Sequence, residues 1–143
     1  MDIKEYIDAH KSRFFEELFS LISIPSVSSH AHRQPEILQC AEHWKKLLIQ
    51  AGVDSAEVLA SSGNPVVFAQ KITNPSWPTV LIYGHYDVMP AEPLDLWVSP
   101  AFEPEIRDGK IFARGADDDK GQSFMHAKAF EYLVNTKQLK CNV

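Results

Sequence analysis

The run TVLIYG, residues Thr79 to Gly84, constrains the fold most. It is continuously apolar, closed by a glycine, and of the length and type that sits in the middle of a sheet covered on both faces. The next residues are HYDVMP, so His85 and Asp87 follow the expected strand end, separated by one residue. Side chains alternate across an extended backbone, and these two polar groups therefore share a direction.

The surrounding pattern supplies helices to cover such a strand. Ile3, Ile7, Phe14, Leu18, Leu21 and Ile22 recur at helical spacing and predict an opening helix that ends before Pro25. SIPSVSSHAHRQ then reads as a loop. Pro35, the face Ile37, Leu38, Ala41, Trp44 and Leu48, and Gly52 mark the start, buried side and end of a second helix. AEVLA and PVVFAQKI read as short strands joined through SSGN. The proline-rich segment from Ala91 to Lys110 reads as loop and hairpin, and a last helix is predicted from near Gly121 with Phe124, Ala127, Phe130, Leu133 and Val134 inward. LKCNV reads as the opening of a further strand. Strands alternating with helices predict an α/β fold, a three-layer sheet flanked by helices.

Composition narrows the function classes. The 143 residues are 45% hydrophobic with 14 basic and 19 acidic side chains, a net charge of −5, and no cluster of Lys and Arg. That balance argues against a nucleic-acid footprint. The two cysteines, Cys40 and Cys141, lie far apart without a CxxC partner, which argues against a disulfide framework. MDIKEYIDAHKSRFF has no apolar signal core, and no stretch approaches the roughly 18 apolar residues of a membrane span. The expectation is a cytoplasmic protein without membrane or nucleic-acid partners.

Two motifs carry the candidate chemistry. Sites in open α/β sheets lie outside the carboxyl ends of strands, where His85 and Asp87 fall. A neutral imidazole is the commonest metal ligand, and a nearby carboxylate can accept its other N–H and fix its orientation. An ordinary strand-end turn explains the same triplet. ARGADDDKGQ, residues Ala113 to Gln122, places Asp117, Asp118 and Asp119 before a helix start. Capping and the helix dipole account for one such aspartate. Three adjacent charges call for a cation, which a metal, Arg114 or Lys120 could supply. His10, His43, His30, His32 and His126 read as structural or solvent-facing.

Taken together, GHYDVMP and LWVSPAFEPEIRDGKIFARGADDDKGQ resemble the dinuclear zinc metallopeptidase family of carnosine dipeptidase, glutamate carboxypeptidase, aminoacylase and succinyl-diaminopimelate desuccinylase. The wording is most similar to the dipeptidase branch. The resemblance implies that residues 1–143 are an N-terminal portion of the catalytic domain. It implies that His85 binds one of two zinc ions, that Asp87 orients His85 as a catalytic residue, and that Asp118 bridges both metals, followed by a cis peptide bond. Manganese or cobalt would suit the same ligands. It also implies a general-base glutamate, further ligands and a dimerisation domain beyond Val143, a small peptide substrate, and a homodimeric full-length parent. Ala113 and Asp117 depart from the family pattern, where glycine and a small or hydroxyl residue are frequent.

Two readings compete with metal-assisted hydrolysis. One is a non-catalytic binding or interaction module that kept the fold. The other is a Mg²⁺ phosphoryl-transfer enzyme built on Asp117 to Asp119, which the lack of a Gly-rich phosphate loop disfavours.

Overall fold

The computed structural model describes residues 2–143. Helix α1 spans Ile3–Ile22 and begins with a reciprocal cap: the Asp2 carboxylate accepts the Glu5 N–H at 2.9 Å, and the Glu5 carboxylate accepts the Asp2 N–H at 3.0 Å. Helix α2, Gln34–Ala51, has Pro35 in its first turn, and Gly52 ends it in the left-handed conformation at φ 103°. Strands β1 (Ser55–Leu59) and β2 (Val66–Gln70) form an antiparallel hairpin with Glu57 opposite Phe68. Strands β3 (Glu105–Arg107) and β4 (Lys110–Phe112) form a second hairpin around Asp108 and Gly109, both at positive φ. Helix α3 spans Lys120–Asn135. The result is a mixed helix and sheet domain, with single 3₁₀ turns at Ala31–Arg33 and Leu94–Leu96.

The three helices pack on one another, and α2 also packs on β1 and β2. Leu21, Ile24, Cys40, Trp44, Leu47, Phe124 and Ala127 form the main core between them. Each large side chain fully buried there, such as Leu21, contributes roughly 1.5–3 kcal/mol. A second cluster of Ala51, Phe130 and Leu139 joins the end of α2 to the chain after α3. Cys40 and Cys141 are both free thiols.

A buried charged network ties α1 to α3. The Glu131 carboxylate accepts hydrogen bonds from Tyr6 Oη at 3.0 Å, from Lys128 Nζ at 2.7 Å and from the Arg13 guanidinium. Burial alone would push the Glu131 carboxyl up, but the two cations outweigh it and hold the group below the usual carboxylate range.

Several sequence expectations are corrected here. Thr79–Gly84 extends from an isolated parallel bridge, Thr79 with Asn142, but forms no continuous ladder among the described residues. Leu81 and Tyr83 are 88% and 86% exposed. A strand is buried by what pairs and packs beside it, and here too little does. Asn142 and Val143 begin such a neighbour: Val80 N–H donates to the Asn142 carbonyl, and Lys71 and Val143 exchange both backbone hydrogen bonds. On α1, Ile3 and Ile7 face solvent and Tyr6 is buried instead, because its hydroxyl reaches Glu131. On α2, Leu38 is exposed while Cys40 and Leu47 are buried, since the face toward α1 and α3 is rotated from the one expected.

Candidate metal centre

Everything around His85 converges from four segments. The chain after α1 runs beside Tyr86–Val88: Val27 and Val88 form a parallel bridge, Val88 N–H donates to the Ser26 carbonyl at 2.9 Å, and Ser26 Oγ donates to the Tyr86 carbonyl at 2.7 Å. Tyr86 anchors the other side by donating its hydroxyl to the Pro65 carbonyl, and burial pushes that phenol up to about 12. The backbone that presents His85 and Asp87 is thus held from both flanks.

His85 and Asp87 do share a face. His85 Nδ1 lies 3.0 Å from Asp87 Oδ1 and 3.1 Å from the Asp87 carbonyl oxygen, and the other Asp87 oxygen accepts the Ser28 hydroxyl. Nε2, on the far side of the ring, lies 3.1 Å from Asp118 Oδ1. Partial burial would push the imidazole down, but hydrogen bonding to the Asp87 carbonyl and carboxylate outweighs it and raises the pKa above the ordinary value. Asp118 reaches this point from the turn before α3, and the Asp118–Asp119 peptide bond is cis.

The turn before α3 depends on close backbone approach. A Cβ at Gly121 would fall well inside contact distance of the Ala116 carbonyl oxygen, so only glycine fits there. Arg114 and Lys120, two of the three cations weighed for neutralising the aspartates, face other groups. The Arg114 guanidinium stacks 5.5 Å from the Trp97 ring centroid. Lys120 is fully buried, and its ammonium donates to the Leu21 and Ile24 carbonyls at 3.0 and 2.6 Å, closing the end of α1. Burial outweighs its neighbours and lowers the Lys120 pKa.

Sequence reasoning overlooked Ser28 and Ser123 at this site and gave Asp119 no role of its own. Ser28 supports Asp87 from 59 positions away, which no local signal announces. Asp119 Oδ2 accepts the His85 backbone N–H at 2.9 Å and the Ser123 hydroxyl at 2.6 Å. The four-residue spacing of Asp119 and Ser123 along a helix start could have revealed that pair. The remaining histidines lie in other settings: His10 bonds the Tyr6 carbonyl, His43 bonds Ser20, His30 and His32 stack on each other, and His126 is exposed on α3.

Among the described residues no group of three or more His, Cys, Asp or Glu side chains is placed to hold a metal ion. The pair present nevertheless fits one. Two ligands about 2.0–2.1 Å from a tetrahedral zinc stand about 3.3 Å apart. His85 Nε2 and Asp118 Oδ1 stand at 3.1 Å, with Asp87 behind the ring on the opposite nitrogen. A groove of about 510 Å³ borders the site, and its lining includes Val67, Phe68, Leu81, Phe130 and Val143 together with His85. Its walls are the apolar faces left open beside Val80–Gly84. Among the described residues no helix is long and apolar enough to cross a membrane.

A histidine with a carboxylate behind it and a second carboxylate in front has the donor types of a metal site. Residues 81–143, which contain both motifs, match the profile of peptidase family M20/M25/M40. The chain is 34% identical over 130 residues to the Cys-Gly metallodipeptidase dug1 of Schizosaccharomyces pombe, covering 82% of this chain and 27% of that protein. It is 34% identical over 128 residues to the Beta-Ala-His dipeptidase of Mus musculus, covering 81% and 26%. Its fold superposes on the di-peptidase Dug1p from Saccharomyces cerevisiae with a TM-score of 0.85 at 28% identity, covering 96% of this chain and 32% of that one. The human carnosine dipeptidase 1 structure gives a TM-score of 0.86 at 27% identity with the same coverage. The chain belongs to this metallopeptidase family, and it spans about a third or less of the length of these relatives.

Proposed function

We propose that these residues form part of the metal centre of a zinc-dependent dipeptidase, with His85 and Asp118 as ligands and Asp87 orienting His85. The observation that carries the reading is the convergence of His85 Nε2 and Asp118 Oδ1 at 3.1 Å, with Asp87 bonded to the opposite ring nitrogen. Asp87 holds Nδ1 protonated, which leaves the Nε2 lone pair available toward Asp118. Asp118, 74% exposed on its side chain, has room to bridge two ions. Bound zinc would polarise an amide carbonyl and lower the pKa of a coordinated water. Manganese or cobalt would suit the same donors.

The dipeptidase assignment follows the relatives' names, and the substrate is taken to be a small peptide with one amide to cleave. A cytoplasmic location and a homodimeric full-length parent belong to the same reading. Among the described residues no third ligand is gathered at this pair, so residues 1–143 by themselves are expected to hydrolyse nothing measurable. A second reading is a binding module that kept the fold without catalysis.

Zinc titration of the isotopically labelled chain tests the first reading. The His85 ring nitrogens should shift with zinc in the unaltered protein and not in Asp118→Asn. Ring signals that ignore zinc would sink it, and metal-dependent dipeptide cleavage by the 143-residue chain, lost in His85→Ala, would overturn the expected inactivity.

A further inference from the structure

We propose that Asp119 and Ser123 form a clamp that positions His85 for its metal, with Asp119 acting through the main chain rather than as a ligand. The proposal rests on the metal reading of His85 and Asp118. Asp119 Oδ2 holds the His85 backbone N–H at 2.9 Å, and the Ser123 hydroxyl, one helical turn along α3, donates to the same oxygen at 2.6 Å. Consecutive aspartates therefore address one histidine: Asp118 faces the ring and Asp119 grips the backbone.

Residue 84 fits this arrangement. A Cβ there would stand 2.9 Å from Asp119 Oδ2 and would overlap Ser123 Oγ, so glycine lets the end of the Thr79–Gly84 segment approach α3 closely enough for the clamp to close. A metal ligand must be held within about 0.5 Å of its productive position, and a side chain's place is set first by its main chain. Asp87 fixes the rotation of the ring, while the clamp fixes where the ring begins. Neither contact substitutes for the other.

The test uses the labelled 143-residue protein with two readouts: hydrogen exchange of the His85 amide without metal, and zinc affinity followed at the His85 ring nitrogens. Asp119→Ala should speed His85 amide exchange and weaken zinc about tenfold, the scale expected for residues that orient ligands. Asp119→Asn keeps an acceptor oxygen and should restore most of both. Ser123→Ala should shift both readouts in the same direction by less, and it decides the matter if Asp119→Ala does not fold. Unchanged amide exchange and unchanged zinc affinity in the folded variants overturn the clamp, as does an Asp119→Asn protein as impaired as Asp119→Ala. If zinc leaves the His85 ring of the unaltered protein unmoved, the metal reading fails instead, and amide exchange alone then decides the clamp.

Discussion

Replacing Glu131 with glutamine removes one charge from the network joining α1 to α3 while keeping its shape. The carboxylate is almost fully buried and accepts from Tyr6, Lys128 and Arg13. The amide can still accept one bond, but its NH₂ group meets cations that can only donate. Removing one partner of a buried ion pair costs roughly 3–5 kcal/mol. The low end applies here, because Arg13 is partly exposed and Lys128 keeps its pairing with Glu17. At about 3 °C of melting temperature per kcal/mol for a chain of this size, Glu131→Gln should melt roughly 9 °C lower at neutral pH.

The same substitution fixes the sign of a pH effect. Glu131 has a lowered pKa in the folded state, so its stabilisation is fully present above the unfolded value near 4.3 and is lost as pH falls through the lower folded value. Thermal melts followed by circular dichroism from pH 7 down into that acid range should show the two proteins converging as the native carboxylate takes a proton. A melting-temperature difference below about 2 °C at pH 7, or a gap that stays constant into acid, would refute this account of the network.

Lys120→Met should lower the urea midpoint by an amount equivalent to about 1–3 kcal/mol, since the unpaired Leu21 and Ile24 carbonyls outweigh relief of the buried ammonium. Gly121→Ala should give little folded protein in solubility and circular dichroism assays, because the Ala116 carbonyl blocks the new methyl. Asp87→Ala should weaken zinc at His85 by about 10–100-fold in calorimetry while leaving α1–α3 packing and the melting temperature nearly unchanged. An Asp87→Ala protein with native zinc affinity would remove the orienting role.

The local elements were legible because their signals are local. Pro35 and Gly52 bracket α2, Asp108-Gly109 sets the β3–β4 turn, and the 3.6-residue period places Phe124, Ala127 and Phe130 inward on α3. The motif residues were legible too, because alternation along an extended backbone puts His85 and Asp87 on one side. The faces of the helices were less so. Ile3, Ile7 and Leu38 are apolar yet exposed, because an apolar side chain is buried only where another element arrives to cover it.

Long-range contacts decided the rest. Charge alone made Lys120 a candidate to neutralise the aspartates, but the fold carries its ammonium to the end of α1, about 100 positions earlier in sequence. Ser28 reaches Asp87 and Asp119 reaches the His85 backbone only after α1, the HYD segment and α3 have packed. By itself the sequence determined which residue types stand at the site and which elements carry them. Only the tertiary structure decided what each charged group faces, because a side chain's partner is set by the meeting of distant segments, whereas helix and strand periodicity is set by neighbours along the chain.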